Sequence, residues 1–143
     1  MSVLLVLDAA TFDVLDTPRG RQLRILMREI LNAGGRARCA VITLAEVCRR
    51  TARTRRVEAS LARDRGGHRI QVVPTDERFA KLVGAILHDT GHGSDRIADA
   101  HVVAACTASD TAVVFTSDPD DIAALATAVP GTRIIIRDPA APL

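Results

Sequence analysis

Five short apolar runs, separated by stretches whose apolar residues recur every three to four positions, restrict what this chain can fold into more than any other feature. The runs are Val3–Leu7, Arg38–Ile42, Ile70–Val73, Ala112–Phe115 and Thr132–Ile136. Most are continuous in Val, Ile and Leu, the composition of strands covered on both faces. The intervening stretches have helical spacing. Pro18 opens a pattern through Leu23, Ile25, Leu26, Met27, Ile30 and Leu31, which Gly34-Gly35 stops. Thr43 is placed to cap a helix through Leu44 and Val47, broken near Thr54, and a further helix runs from Val57 to about Arg63. Pro74-Thr75-Asp76-Glu77 has helix-start chemistry before Phe79, Leu82, Val83, Ile86 and Leu87. Ser94 caps a helix from Asp95 to about Ala108, and Asp118-Pro119 opens one to about Ala128. This alternation predicts an α/β fold: an open five-stranded parallel sheet with helices on both faces, three layers in all. A length of 143 residues suits one domain over 1–143.

Other classes fall away quickly. Hydrophobic residues make up 48% of the chain, too many for a disordered one. No apolar run approaches the roughly 18 residues that span a bilayer, so a membrane segment is not expected. Three cysteines, Cys39, Cys48 and Cys106, lack CxxC spacing, which argues against a disulfide framework. They read as small core fillers, and the chain reads as cytoplasmic.

Charge is uneven along the sequence. Residues 19–69 carry fourteen arginines against Glu29, Glu46, Glu58 and Asp64, a net +10. Residues 76–121 carry Arg78, Lys81 and Arg96 against nine acids, a net −6. A basic half suits a polyanionic partner and an acidic half suits a cation.

In open parallel sheets, sites form beyond the carboxyl ends of the strands. Asp8 directly follows the first run, and Asp118 follows the fourth after two residues. Glu46 lies in the first turn after the second run. Asp95 and Asp99 lie at the start of the helix entering the fourth, and their i, i+4 spacing predicts one shared face. Asp99 also interrupts the small, apolar stretch from Ile97 to Ala105, where a charge needs a reason. Carboxylates that converge repel one another, and a hard divalent cation such as Mg²⁺ or Mn²⁺ relieves that. Simpler readings stand beside this one. Asp8 could bond loop backbone, Glu46 could be a solvated helix acid, and Asp118 could cap the helix that Pro119 begins. Asp120 and Asp121 read as first-turn acids that suit the helix dipole.

Four segments together resemble the PIN-domain family, in its VapC-like toxin branch: Leu7-Asp8-Ala9-Ala10, Leu44-Ala45-Glu46-Val47, Ala98-Asp99-Ala100-His101-Val102-Val103-Ala104, and Phe115-Thr116-Ser117-Asp118-Pro119-Asp120-Asp121. The resemblance runs from residue 3 to residue 136. It implies a metal-dependent endoribonuclease of a type II toxin–antitoxin system, paired with a small antitoxin protein, and it allows a homodimer. The family's four acids fall on Asp8, Glu46, Asp99 and Asp118, with Asp8, Asp99 and Asp118 as metal ligands. Position 10, often Ser or Asn in the family, is Ala, and Thr11 is the nearest replacement.

Further residues join the expected site. Arg49, Arg50 and Arg53 follow Glu46 on what reads as one helix, placing them to hold RNA phosphates. With only Phe12, Phe79 and Phe115 as aromatics, base stacking has little to work with. Thr116 could donate to a carboxylate or a phosphate. His88 and His92 are separated by Thr90-Gly91, which breaks a shared helix face, and His101 reads as a packed helix residue. A receiver domain is disfavoured by Pro74 after the third run, and a DxD phosphatase by Asp8-Ala9-Ala10. The alternative to a nuclease is a catalytically silent binding or regulatory module on the same fold.

Overall fold

The computed structural model describes residues 2–140. Leu4–Leu7 forms β1, buried along its whole length. It pairs with β2 (Arg36–Ala40) on one side and β4 (Thr111–Phe115) on the other. β3 (Gln71–Val73) adds beyond β2, and β5 (Arg133–Arg137) beyond β4. Every pairing is parallel, and the spatial order is β3-β2-β1-β4-β5. Successive strands are thus added outward on one side of β1 and then, from β4, on the other, and the β1/β4 boundary is the switch point at which open α/β sheets leave a crevice.

Side chains alternate along each strand, so β1 and β4 feed two cores. Leu4, Val6, Ala112 and Val114 pack against α5 (Glu77–Thr90), α6 (Ile97–Cys106) and α7 (Pro119–Ala126), through Val83, Ile86, Val102, Val103, Ile122 and Leu125. Leu5, Leu7, Val113 and Phe115 pack on the opposite face against Val14, Leu23, Met27 and Leu31 of α1 (Ala9–Val14) and α2 (Arg21–Asn32). Full burial of each Leu, Ile or Phe stabilises by about 1.5–3 kcal/mol. The three-layer α/β architecture predicted from the alternating runs is the one observed.

Local boundaries differ from the sequence pattern at several points; Pro18–Gly20, for one, is a 3₁₀ turn, and α2 starts only at Arg21. A short helix, α1, follows β1 at once, with the Asp8 carboxylate accepting from the Ala9 N–H at its start. β2 begins and ends two residues early, because α3 (Val41–Val47) starts directly from the extended Ala40. Thr43 is thus inside α3 and buried rather than its cap. The break after α3 falls at Cys48–Arg50 rather than near Thr54, and α4 (Thr51–Ala62) is one helix spanning Val57. Finally, Ser94–Arg96 is a 3₁₀ turn, and α6 begins only at Ile97.

The turn from α1 into α2 requires Gly20. A Cβ there would overlap the carbonyl oxygen of Val14 and come within 2.9 Å of that of Leu15. Both are backbone atoms and cannot rotate away. Gly20→Ala is expected to cost about 2–3 kcal/mol, as overpacking of a closed site does. Urea unfolding measures it, and a midpoint equal to wild type would contradict the close packing of this turn.

Candidate active site

Asp8 sits at the carboxyl end of β1, where its N–H still donates to Phe115 O (3.1 Å) across the β1/β4 pair. The residue is 5% exposed, and both carboxylate oxygens are held. Oδ1 accepts from the Ala9 N–H at 2.7 Å, and Oδ2 accepts from the Thr116 hydroxyl at 2.7 Å. Thr116 is fully buried one residue past β4, and its N–H donates to Arg137 O of β5 (2.9 Å). Its hydroxyl oxygen also accepts the Asp118 N–H at 3.0 Å. One side chain therefore aims Asp8 and fixes the backbone of Asp118. The Asp118 carboxylate makes no capping bond to α7, contrary to the simpler reading, and stands exposed at the rim.

Two further acids face this pair. Glu46 projects from α3 half-buried, and its Oε1 is buried without a hydrogen-bond partner. Burial, then Asp8 and Asp99, and more weakly Asp118, push its carboxyl above the ordinary range, with Arg49 opposing. Asp99 lies in the first turn of α6 with its side chain 18% exposed. Burial and the charges of Asp8, Asp121 and Asp118 raise it to about 6, while Arg96 opposes. The structure thus brings Asp8, Glu46, Asp99 and Asp118 within electrostatic reach of one another at the switch point.

Asp121 belongs beside them, although the sequence pattern assigned it only to the helix dipole. It lies in the first turn of α7, its charge acts on Asp99, and it pairs with Arg96, which also lies 3.9 Å from Asp99. Asp95 does not join. The 3₁₀ turn separates it from α6, its side chain is 79% exposed, and its ion-pair partner is Arg96 at 3.9 Å.

The basic run is also rearranged. Arg49, Arg50 and Arg53 do not share a helix with Glu46, because the chain turns at Cys48 and restarts at Thr51. Arg49 donates to Glu46 O (3.3 Å), Arg50 is the residue before α4, and Arg53 pairs with Asp13 of α1 at 2.8 Å. Arg49, Arg50 and Arg55 instead line a shallow groove at the α3–α4 joint with Thr51, Thr54 and Glu58. Thr11 does not take the role expected from Ala10, since its hydroxyl donates to Phe115 O (3.2 Å) and ties α1 to β4. Thr116 supplies the bond to the acid. His101 is buried, with Nδ1 at 2.7 Å from Ile97 O and its ring tilted against Phe79. α5 ends at Thr90, so His88 lies on the helix and His92 in the loop after it. Cys39 and Cys106 are buried free thiols, both pushed up to about 12 by burial.

Among the described residues, no three His, Cys, Asp or Glu side chains converge, as they stand, on a point that would hold a metal ion. The donor chemistry nevertheless fits a hard divalent cation. The donors are carboxylate oxygens that repel one another, and one buried oxygen, Glu46 Oε1, lacks a partner. No helix among the described residues is long and apolar enough to cross a membrane.

Comparison with known proteins agrees with this fold. No curated protein matches the chain. A solved structure described as VapBC2 from Rickettsia felis, bound to a DNA fragment from their promoter, superposes with a TM-score of 0.60. The match covers 94% of this chain and 99% of that one at 14% identity, a likeness of fold. The PIN domain family model matches residues 8–127, from the acid that ends β1 to the turn that ends α7, and the chain belongs to the PIN domain family.

Proposed function

We propose that the protein is a Mg²⁺- or Mn²⁺-dependent endoribonuclease of the VapC-like toxin type, restrained by a small antitoxin protein. The observation that carries this reading is the coupling of half-buried Glu46 and Asp99 to Asp8 and Asp118 at the sheet's switch point. Carboxyls raised by burial and by neighbouring charge, as Glu46 and Asp99 are, cost stability, and such cost concentrates at functional sites. Asp8, Asp99 and Asp118 would hold the cation. A divalent cation bound there supplies Lewis acidity toward water and the phosphoryl oxygens.

The remaining work belongs to the chain. Thr116 keeps Asp8 in one orientation before substrate arrives. Glu46, with its Oε1 uncommitted, orients the attacking water and takes up its proton. Arg49 and Arg50, at the α3–α4 joint beside Glu46, hold RNA phosphates through their guanidinium forks. Arg53 contributes less, since Asp13 already occupies it.

Purified protein is expected to cut single-stranded or loop RNA with Mg²⁺ or Mn²⁺ and to stop with EDTA. Its expression should arrest growth, and Asp8→Ala should relieve the arrest. Cleavage unchanged in EDTA would overturn the reading. A second reading, a catalytically silent binding module on the same fold, draws on the carboxylates not closing on one point. Protein that is folded and binds RNA but never cuts it would favour that alternative.

A further inference from the structure

Arg96 is bound into the mouth of the acidic cluster, where it meets Asp99 of α6 and Asp121 of α7 from the turn that precedes them both. It ends the 3₁₀ turn ahead of α6, and its Nη1 donates to Asp121 Oδ2 in the first turn of α7. The same Nη1 lies 3.9 Å from Asp99 Oδ2, and its Nε lies 3.9 Å from Asp95 Oδ2. One guanidinium therefore faces three carboxylates. Its partner Asp121 is half-buried like itself, each side chain being 35% exposed. The rigid fork of an arginine can hold one carboxylate by a short bond while lying close to a second, which a lysine ammonium cannot do as well.

We propose that Arg96 is the resident counter-ion of the acidic rim: Asp121 anchors it, it offsets the charge of Asp99 when no cation is bound, and an arriving cation competes with it. Arg96 is thus a positioning residue that sets how tightly the site takes its metal. The inference rests on the metal-dependent reading above. Competition of this kind is reciprocal. If a cation loosens Arg96 from Asp99, Arg96 loosens the cation by the same factor.

Calorimetric titration of the full chain with Mn²⁺ tests it, beside thermal unfolding in EDTA. Arg96→Gln is expected to tighten Mn²⁺ binding by about tenfold, the scale of a typical coupling between linked sites. In EDTA the same variant should melt about 3–5 °C lower, because the acids lose their internal cation. Arg96→Lys, which keeps charge without the fork, should fall between Arg96→Gln and wild type in both measurements. Arg133→Gln, at the opposite end of the sheet, removes the same charge and should leave Mn²⁺ affinity unchanged. Unchanged or weaker Mn²⁺ binding in Arg96→Gln would overturn the proposal, as would an equal gain in Arg133→Gln. If wild type binds no Mn²⁺, the metal-dependent reading fails by itself. The melting temperatures in EDTA then decide the counter-ion role, and an unchanged midpoint in Arg96→Gln rejects it.

Discussion

Asp99→Asn is expected to lower metal-dependent RNA cleavage by at least roughly 100-fold and, in the absence of metal, to make the protein more stable near neutral pH. Both effects come from one carboxylate. Asparagine keeps the shape of the side chain and removes the charge that would hold a cation. In the metal-free protein that charge is a burden, since burial and the neighbouring acids raise Asp99 from 3.8 to about 6. Unfolded, the group titrates at its ordinary value. Its contribution to stability is therefore full below about pH 4 and is lost as pH rises through about 6. A shift of this size corresponds to something on the order of 2–3 kcal/mol. Glu46, also raised, acts in the same direction. Wild type in EDTA should melt higher near pH 5 than near pH 7.5, and Mn²⁺ should restore the loss. Asp99→Asn should flatten that dependence. A folded Asn variant that cuts RNA like wild type would remove Asp99 from the site. A wild-type melting temperature independent of pH would reject the electrostatic strain.

Thr116→Val should have the next largest effect, because it deletes one hydroxyl and with it two contacts. Asp8 Oδ2 loses its donor at 2.7 Å, and the Asp118 N–H loses its acceptor at 3.0 Å. Valine has nearly the same shape, so packing around the fully buried position changes little. Leaving buried polar groups without partners costs about 1–3 kcal/mol. Loss of the group that aims a metal-binding carboxylate typically costs about 10–100-fold in metal affinity or activity. Thr116→Ser keeps the hydroxyl and should retain most of the activity. Thr11→Val is the instructive contrast. It breaks the bond to Phe115 O, which ties α1 to β4 without touching an acid. It should lower stability while leaving cleavage per folded molecule close to wild type. Equal cleavage by the Thr116→Val and Thr11→Val proteins would show that aiming Asp8 does not matter to the chemistry.

The basic stretch shows where local reading stops. Its charge was legible, and so was its closeness to Glu46. The common helix face was not, because a three-residue joint at Cys48–Arg50 reorients everything after it. That joint carries no proline or glycine. Without a local breaker, the pattern continued as a helix on paper. Asp95 failed for a related reason. An i, i+4 pair shares a face only on a continuous α-helix, and the 3₁₀ turn before Ile97 changes the angle per residue.

Whatever depends on the period of the apolar residues was legible before folding. Apolar runs, continuous in β1, β4 and β5 and weaker in β2 and β3, marked the five strands, three-to-four spacing marked the major helices, and their alternation pointed to a parallel sheet. The acids at the ends of β1 and β4 followed from the rule that crevices open beyond strand termini. Pairings between distant residues come from the folded chain alone. Thr116 reaches Asp8 across 108 positions, and Arg96 reaches Asp121 across 25. Both depend on β1 lying beside β4, and on α6 and α7 entering the same rim. A hydroxyl and a first-turn aspartate carry no periodicity that distinguishes a cap from a site residue. Only the neighbour that folding brings within hydrogen-bond distance makes that distinction.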